Sequence, residues 1–174
     1  MKRIIATAAL AIMMAATALA QNPITGTWTM KKTVMGTTVA DFLSFENDTQ
    51  GTATNKIAID LKVSILGVKA SGQAEITVTG AFTASEDKLT INWDKESFVM
   101  NATPIEMSYM GEAIEDDTAD FQEMMDDIIK DIKEDLEKNP VDEYFNVRVK
   151  GDKLSLTSLD EKGKKETTRF TKVQ

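Results

Sequence analysis

From Ile24 onward, apolar residues recur at every second position in short segments broken by turn-forming residues, and this period commits the chain to a sheet. A strand sends successive side chains to opposite faces, so alternation makes one face apolar and leaves the other to solvent. The clearest run is Ile57, Ile59, Leu61, Val63 and Ile65, with Ala58, Asp60, Lys62 and Ser64 between them. Ahead of it, Ile24, Gly26, Trp28 and Met30 share a face, and Val39, Leu43 and Phe45 precede the turn-like Asn47-Asp48-Thr49-Gln50-Gly51. Beyond it, Gly67 to Gly72 reads as a turn, Ala74, Ile76 and Val78 resume the alternation, and Gly80 marks a bend or bulge before Phe82. Leu89, Ile91 and Trp93 form another face, and Phe98, Met100, Ile105, Met107 and Tyr109 a looser strand or pair interrupted near Pro104. Tyr144 to Val149, Leu154 to Leu159 and Thr167 to Val173 complete the pattern. About eight or nine strands joined by short turns predict a mainly β fold, an antiparallel meander closing into a barrel or a sandwich.

One segment changes period. Phe121, Met124, Met125, Ile128, Ile129, Ile132 and Leu136 fall at helical spacing, with Asp117 or Thr118 able to cap the start and Asn139-Pro140 to end it. The spacing predicts an amphipathic helix over about 118–138, inserted between strands, whose apolar stripe covers an open barrel end or a sheet face. On its polar side Glu123, Asp127, Asp131 and Asp135 stand four residues apart, a ridge of one sign with like-charge repulsion between neighbours. Asp126 with Lys130 and Glu134 with Lys138 are the favourable pairs. Such a ridge either binds a divalent cation or a basic protein partner or is simply a solvated face.

The first twenty residues follow another grammar. Lys2 and Arg3 precede an apolar run from Ile4 to Ala16, and small residues end at Ala18-Leu19-Ala20. This is the pattern of a secretory signal peptide cleaved before Gln21, and the run is too short and too alanine-rich for a spanning helix. The expectation is an extracytoplasmic protein, periplasmic or secreted, soluble after cleavage, with one domain over 21–174. Two positive charges leave with the leader, moving the formal charge from −8 to −10. That balance argues against nucleic acid and anionic lipid, which need clustered Lys and Arg. The chain has no histidine and no cysteine. Ser-His-Asp and Cys-His nucleophiles, His-ligated zinc, disulfides and thiol redox chemistry are thereby excluded. Carboxylate pairs, a Ser-Lys pair and oxygen-ligated cations remain. No cofactor motif is present, and no metal and no catalytic residues are expected.

Ile24-Thr25-Gly26-Thr27-Trp28 carries a G-x-W signature on the first strand, and Thr167-Thr168-Arg169-Phe170 places a basic residue in the last. With Gly80-Ala81-Phe82, Asp87 to Trp93 and Gly151 to Leu156 as repeating hairpins, the mature chain resembles the lipocalins and wider calycin group, in particular exported bacterial lipocalin-like domains. The resemblance implies a barrel in which Trp28 packs at the base beneath Arg169, with Gly26, Trp28 and Arg169 as structural residues. The nearest echo of that family's T-D-Y motif is Val141-Asp142-Glu143-Tyr144.

A lipocalin-like barrel implies an interior pocket for a small hydrophobic ligand. Its lining would come from Ile57, Ile59, Leu61, Val63 and Ile65, with Ile76 and Val78 opposite. Met100, Met107, Met110, Met124 and Met125 would add an adaptable thioether surface. The same residues would otherwise simply fill a core. Glu46 to Gly51 imitates half of a calcium loop, but Ile57 stands where a bidentate Glu is needed, so a turn is expected. Asp117-Thr118-Ala119 resembles the acceptor motif by which some gut bacteria O-glycosylate exported proteins, with Thr118 equally a helix cap. The leading expectation is a non-catalytic binding protein. The alternative is a cell-envelope interaction module using the acidic helix or a sheet face. Catalysis would require two carboxylates converging in a cleft with displaced pKa values.

Overall fold

A computed structural model describes residues 23–34, 36–114, 119–160 and 162–174. The leader expected over 1–20 and Thr118, expected as a sugar acceptor or a helix cap, lie outside them. Among the described residues, eleven strands and one helix follow in the order β1 (Gly26–Val34), β2 (Thr37–Phe45), β3 (Gln50–Ile65), β4 (Val68–Ser85), β5 (Lys88–Ala102), β6 (Glu106–Tyr109), β7 (Glu112–Ala113), α1 (Ala119–Lys138), β8 (Val141–Tyr144), β9 (Arg148–Lys150), β10 (Lys153–Leu159) and β11 (Lys165–Lys172). No described helix is long and apolar enough to cross a membrane.

All strands join one antiparallel sheet. β1 to β5 form a meander, β11 and β10 extend it on the far side of β1, and β9 pairs with β10. β4 is long enough to hold two partners on one side, β6 along Val68–Ser71 and β5 from Ala74 onward. β5 in turn pairs with β8. The expected barrel closure is not made, since no ladder joins β8 to β10. The segment 141–150 instead bridges the two sides: its first half, β8, bonds to β5, and its second half, β9, to β10. The reading of Tyr144 to Val149 as one strand is corrected accordingly.

The sheet nonetheless curls until distant strands share a core. Ile24, Trp28, Leu43, Phe45, Phe82, Leu89, Ile91, Val147, Leu154, Leu156 and Phe170 form one buried cluster. Within it the Phe45 and Phe82 rings meet edge to face at 5.0 Å between centroids. A second cluster lies farther along the β3–β4 hairpin, where Ile59, Leu61, Ala70, Ala74, Ile105 and Met107 pack with Ile128 of α1 against them.

Two glycine readings change. The expected turn at Gly67–Gly72 is only Leu66–Gly67, and Gly72 is buried within β4, where an added Cβ would meet Ile105 at 3.0 Å. The register shift of β4 on β5 falls between Thr77 and Thr79. Gly80 just after it permits close approach, because a Cβ there would sit 2.4 Å from the Asn92 carbonyl oxygen.

The G-x-W segment has a clear physical logic. Trp28 is fully buried, and its indole N–H donates to the Ile24 carbonyl at 2.7 Å. The Lys172 ammonium lies over the ring, 5.2 Å from its centroid. Arg169, expected in that place, is exposed and pairs with Ser155 instead, because it stands three residues too early on β11. Gly26 has φ +119°, and a Cβ there would meet the Lys172 side chain at 3.0 Å.

Candidate functional site

Alternation along β2, β3, β4 and β8 sends Asp41, Leu43, Asn55, Ile57, Ile76, Val78, Asp142 and Tyr144 to the concave side, where α1 faces them with Ile132, Asp135 and Leu136. Between sheet and helix these residues line a partly open cavity of about 220 Å³, completed by Trp93, Phe98, Asn139 and Phe170. Most of the wall is apolar, and it carries three carboxylates, Asp41 and Asp142 from the sheet and Asp135 from the helix.

The two sheet carboxylates are held by neutral partners. The Asn55 amide donates to Asp41 at 2.6 Å, and the Trp93 indole N–H donates to Asp142 at 2.8 Å. Tyr144 reaches the same Asp142 oxygen at 3.5 Å, a weak contact. Among the described residues, no lysine or arginine lines the cavity. Burial pushes Asp41 above the ordinary aspartate value of 3.8, against the Asn55 hydrogen bond, and the Asp142 charge adds to the rise. Burial raises Asp142 likewise, opposed by the Trp93 and Tyr144 hydrogen bonds, with Asp135 adding repulsion. Tyr144 is raised by burial first and then by the Asp142 and Asp41 charges.

Of the residues expected to line a pocket, Ile57, Ile76 and Val78 do so. Ile59, Leu61 and Met107 are instead buried in the second cluster, with Val63 packed beside them. The reason is length: β3 and β4 run to 16 and 18 residues, so one alternating face serves two packing sites. Met100 pairs with Ile76 across β4–β5 yet is 41% exposed, on the outer stretch of β5 that the core does not cover. Met110 is 78% exposed at the β6–β7 turn, with φ +50°, beside the equally left-handed Leu66 of the neighbouring turn. Turn geometry, not thioether packing, decides its place, and its N–H donates to the Gly67 carbonyl at 3.0 Å. The side chains of Ile65, Met124 and Met125 lie outside the described residues.

On α1, Glu123, Asp127 and Asp131 are exposed, while Asp135 reaches the cavity rim and accepts from the Asn139 amide at 3.1 Å. Glu134 takes Lys138 at 3.0 Å, and Lys130 stands 4.0 Å from the same carboxylate. Among the described residues, no group of three or more acidic side chains converges to hold a metal ion. The Glu46–Gly51 segment serves as a turn: Asp48 accepts the Thr25 backbone N–H at 2.9 Å and the Thr25 hydroxyl, tying the segment just ahead of β1 to the β2–β3 connection.

Sequence reasoning passed over Asp41, Asn55, Asp142 and Tyr144 as site residues. Asp142 and Tyr144 belong to the echo of T-D-Y, but nothing local says that they face Asp41, which lies about a hundred residues away in sequence. Comparison with protein-family models, curated proteins and solved structures finds no match.

Proposed function

We propose that this chain is an exported, non-catalytic binding protein whose curled, barrel-like sheet holds one small, mainly apolar molecule between the sheet and α1. The observation that carries the reading is the cavity of about 220 Å³, walled by Leu43, Ile57, Ile76, Val78 and Phe170 and lined also by Asp41 and Asp142, with no lysine or arginine among its described lining residues. Such a space is smaller than the roughly 300–1,000 Å³ of drug-sized sites, so the ligand is compact. Its apolar body is held by burial, and its head must donate hydrogen bonds or carry positive charge. A negative head would face two carboxylates in a partly desolvated site. The lipocalin-like arrangement of a buried first-strand tryptophan under a basic residue supports the barrel reading, with Lys172 in the role expected of Arg169.

Three naphthalene probes of equal body test this. Fluorescence titration is expected to rank 1-naphthylmethylammonium above 1-methylnaphthalene, and both above 1-naphthylacetate. Val78→Trp, which fills the cavity, should weaken all three. Equal affinity for the cation and the anion would remove the claim about the head group, and no binding by any probe would remove the pocket reading.

A second reading rests on the same two carboxylates, which meet the condition for carboxylate-pair catalysis of being displaced in one cleft. Both are displaced upward, whereas an acid and a base need environments that separate them, and this puts catalysis second. Recovery of the bound molecule chemically altered, with loss of that change in Asp142→Asn, would reverse the order.

A further inference from the structure

We infer that the slit between β8 and the outer half of β10 is the door of the cavity, opened and shut by unzipping and zipping of these two strand edges; the door rests on the binding reading above. One side of β8 bonds to β5, and Ser158 and Leu159 of β10 share a groove with it although, among the described residues, no ladder joins the two strands. The two edges touch where the Phe145 N–H donates to the Thr157 carbonyl at 3.0 Å. Beyond that bond Val141, at the start of β8, and Leu159, at the end of β10, stand 44% and 56% exposed.

A groove beside the two edges is lined by Val141, Glu143, Phe145, Ser158 and Leu159 together with Asp142 and Tyr144, and by Lys88 and Thr90 of β5. Asp142 and Tyr144 also line the inner cavity, so these two residues border both spaces. Counting antiparallel steps around the sheet gives β8 and β10 opposite directions, which is what a ladder between them requires. The Phe145–Thr157 bond sets its register: Tyr144 would meet Ser158 and Glu143 would meet Leu159. Closure therefore needs only local motion of one four-residue strand. Motions of this size gate access to many buried sites.

The absence of cysteine makes the test clean. Residues directly opposite in a hydrogen-bonded pair have Cα atoms about 5.5 Å apart, within the span of a disulfide. Full-length Glu143→Cys/Leu159→Cys protein is expected to cross-link under mild oxidation, and the out-of-register Val141→Cys/Leu159→Cys protein about tenfold more slowly or not at all. Both side chains are exposed, so folding is not at stake, and the reduced form is its own control. With 1-naphthylmethylammonium in stopped flow, the oxidised in-register protein should bind and release the probe about tenfold more slowly than the reduced one, with little change in Kd. Failure of the in-register pair to cross-link overturns zipping. Cross-linking with unchanged rates overturns the door and leaves the pocket standing. Cross-linking in a protein that binds no probe, oxidised or reduced, overturns the pocket and leaves the zipping edges standing.

Discussion

Gly26, Trp28 and Lys172 act as one unit, and the short motif is explained by the unit more than by any of its members. Trp28 brings the largest buried surface on β1, and its polar N–H is satisfied internally by Ile24. Lys172 covers the ring, and Gly26 leaves room for the lysine stem while taking a φ that other residues resist. Gly26→Ala should therefore cost about 1–2 kcal/mol from backbone conformation alone, and more if Lys172 is forced aside. Lys172→Met should cost about 0.5–1 kcal/mol as the cation–π contact goes. In the double variant the displaced side chain has no charge to lose, so the two costs should add to less than their sum. Urea unfolding of the four proteins measures this directly, and strict additivity would show that Gly26 and Lys172 do not share a seat.

At the scale of elements, alternation and helical period identified most strands and located the end of α1 at Lys138, because both periods are written locally in which side chains must be buried. What local pattern could not express is the choice of partner. Residues 144–149 alternate well enough for one strand, but β5 claims the first half of 141–150 and β10 the second. The inward run of β3 likewise divides between two clusters, so Ile57 lines the cavity while Ile59 and Leu61 do not. The acidic ridge on α1 was legible as charge, and the helix tolerates it because Glu123, Asp127 and Asp131 face solvent. That repulsion is a reserve of stability. Asp131→Lys replaces two like-charge neighbours, Asp127 and Asp135, with two attractive ones, and should raise Tm by about 2–4 °C at low salt. The gain should shrink in about 1 M salt, where exposed charges are screened within a few ångströms. A salt-independent gain would mean that helix propensity, not charge, is responsible.

For the whole molecule, the cavity acids and the surface acids pull stability in opposite directions as pH changes. Asp41 and Asp142 are raised above 3.8 chiefly by burial, so the folded state holds their protons more tightly than the unfolded chain. Their effect is most favourable to folding below 3.8 and is lost as pH rises through the raised folded values. Asp48 behaves in reverse: the Thr25 hydroxyl holds it below 3.8, so its contribution is present above that value and lost as pH falls through the lowered one. A site built to receive a cation has the first property, since the empty cavity is destabilised by the charge that a ligand would neutralise. Substitution separates the two. Asp41→Asn keeps an oxygen to accept from Asn55, and it should raise Tm near neutral pH, with the advantage fading to nothing as pH approaches 3.8. Asp48→Asn should lower Tm at neutral pH, and its deficit should close as pH falls below 3.8. Thermal scans of the three proteins from neutral to acid pH decide the matter. A pH-independent offset for Asp41→Asn would mean that packing around Asn55, and not the buried charge, sets the difference. The cavity would then carry no electrostatic preference for a positively charged head group.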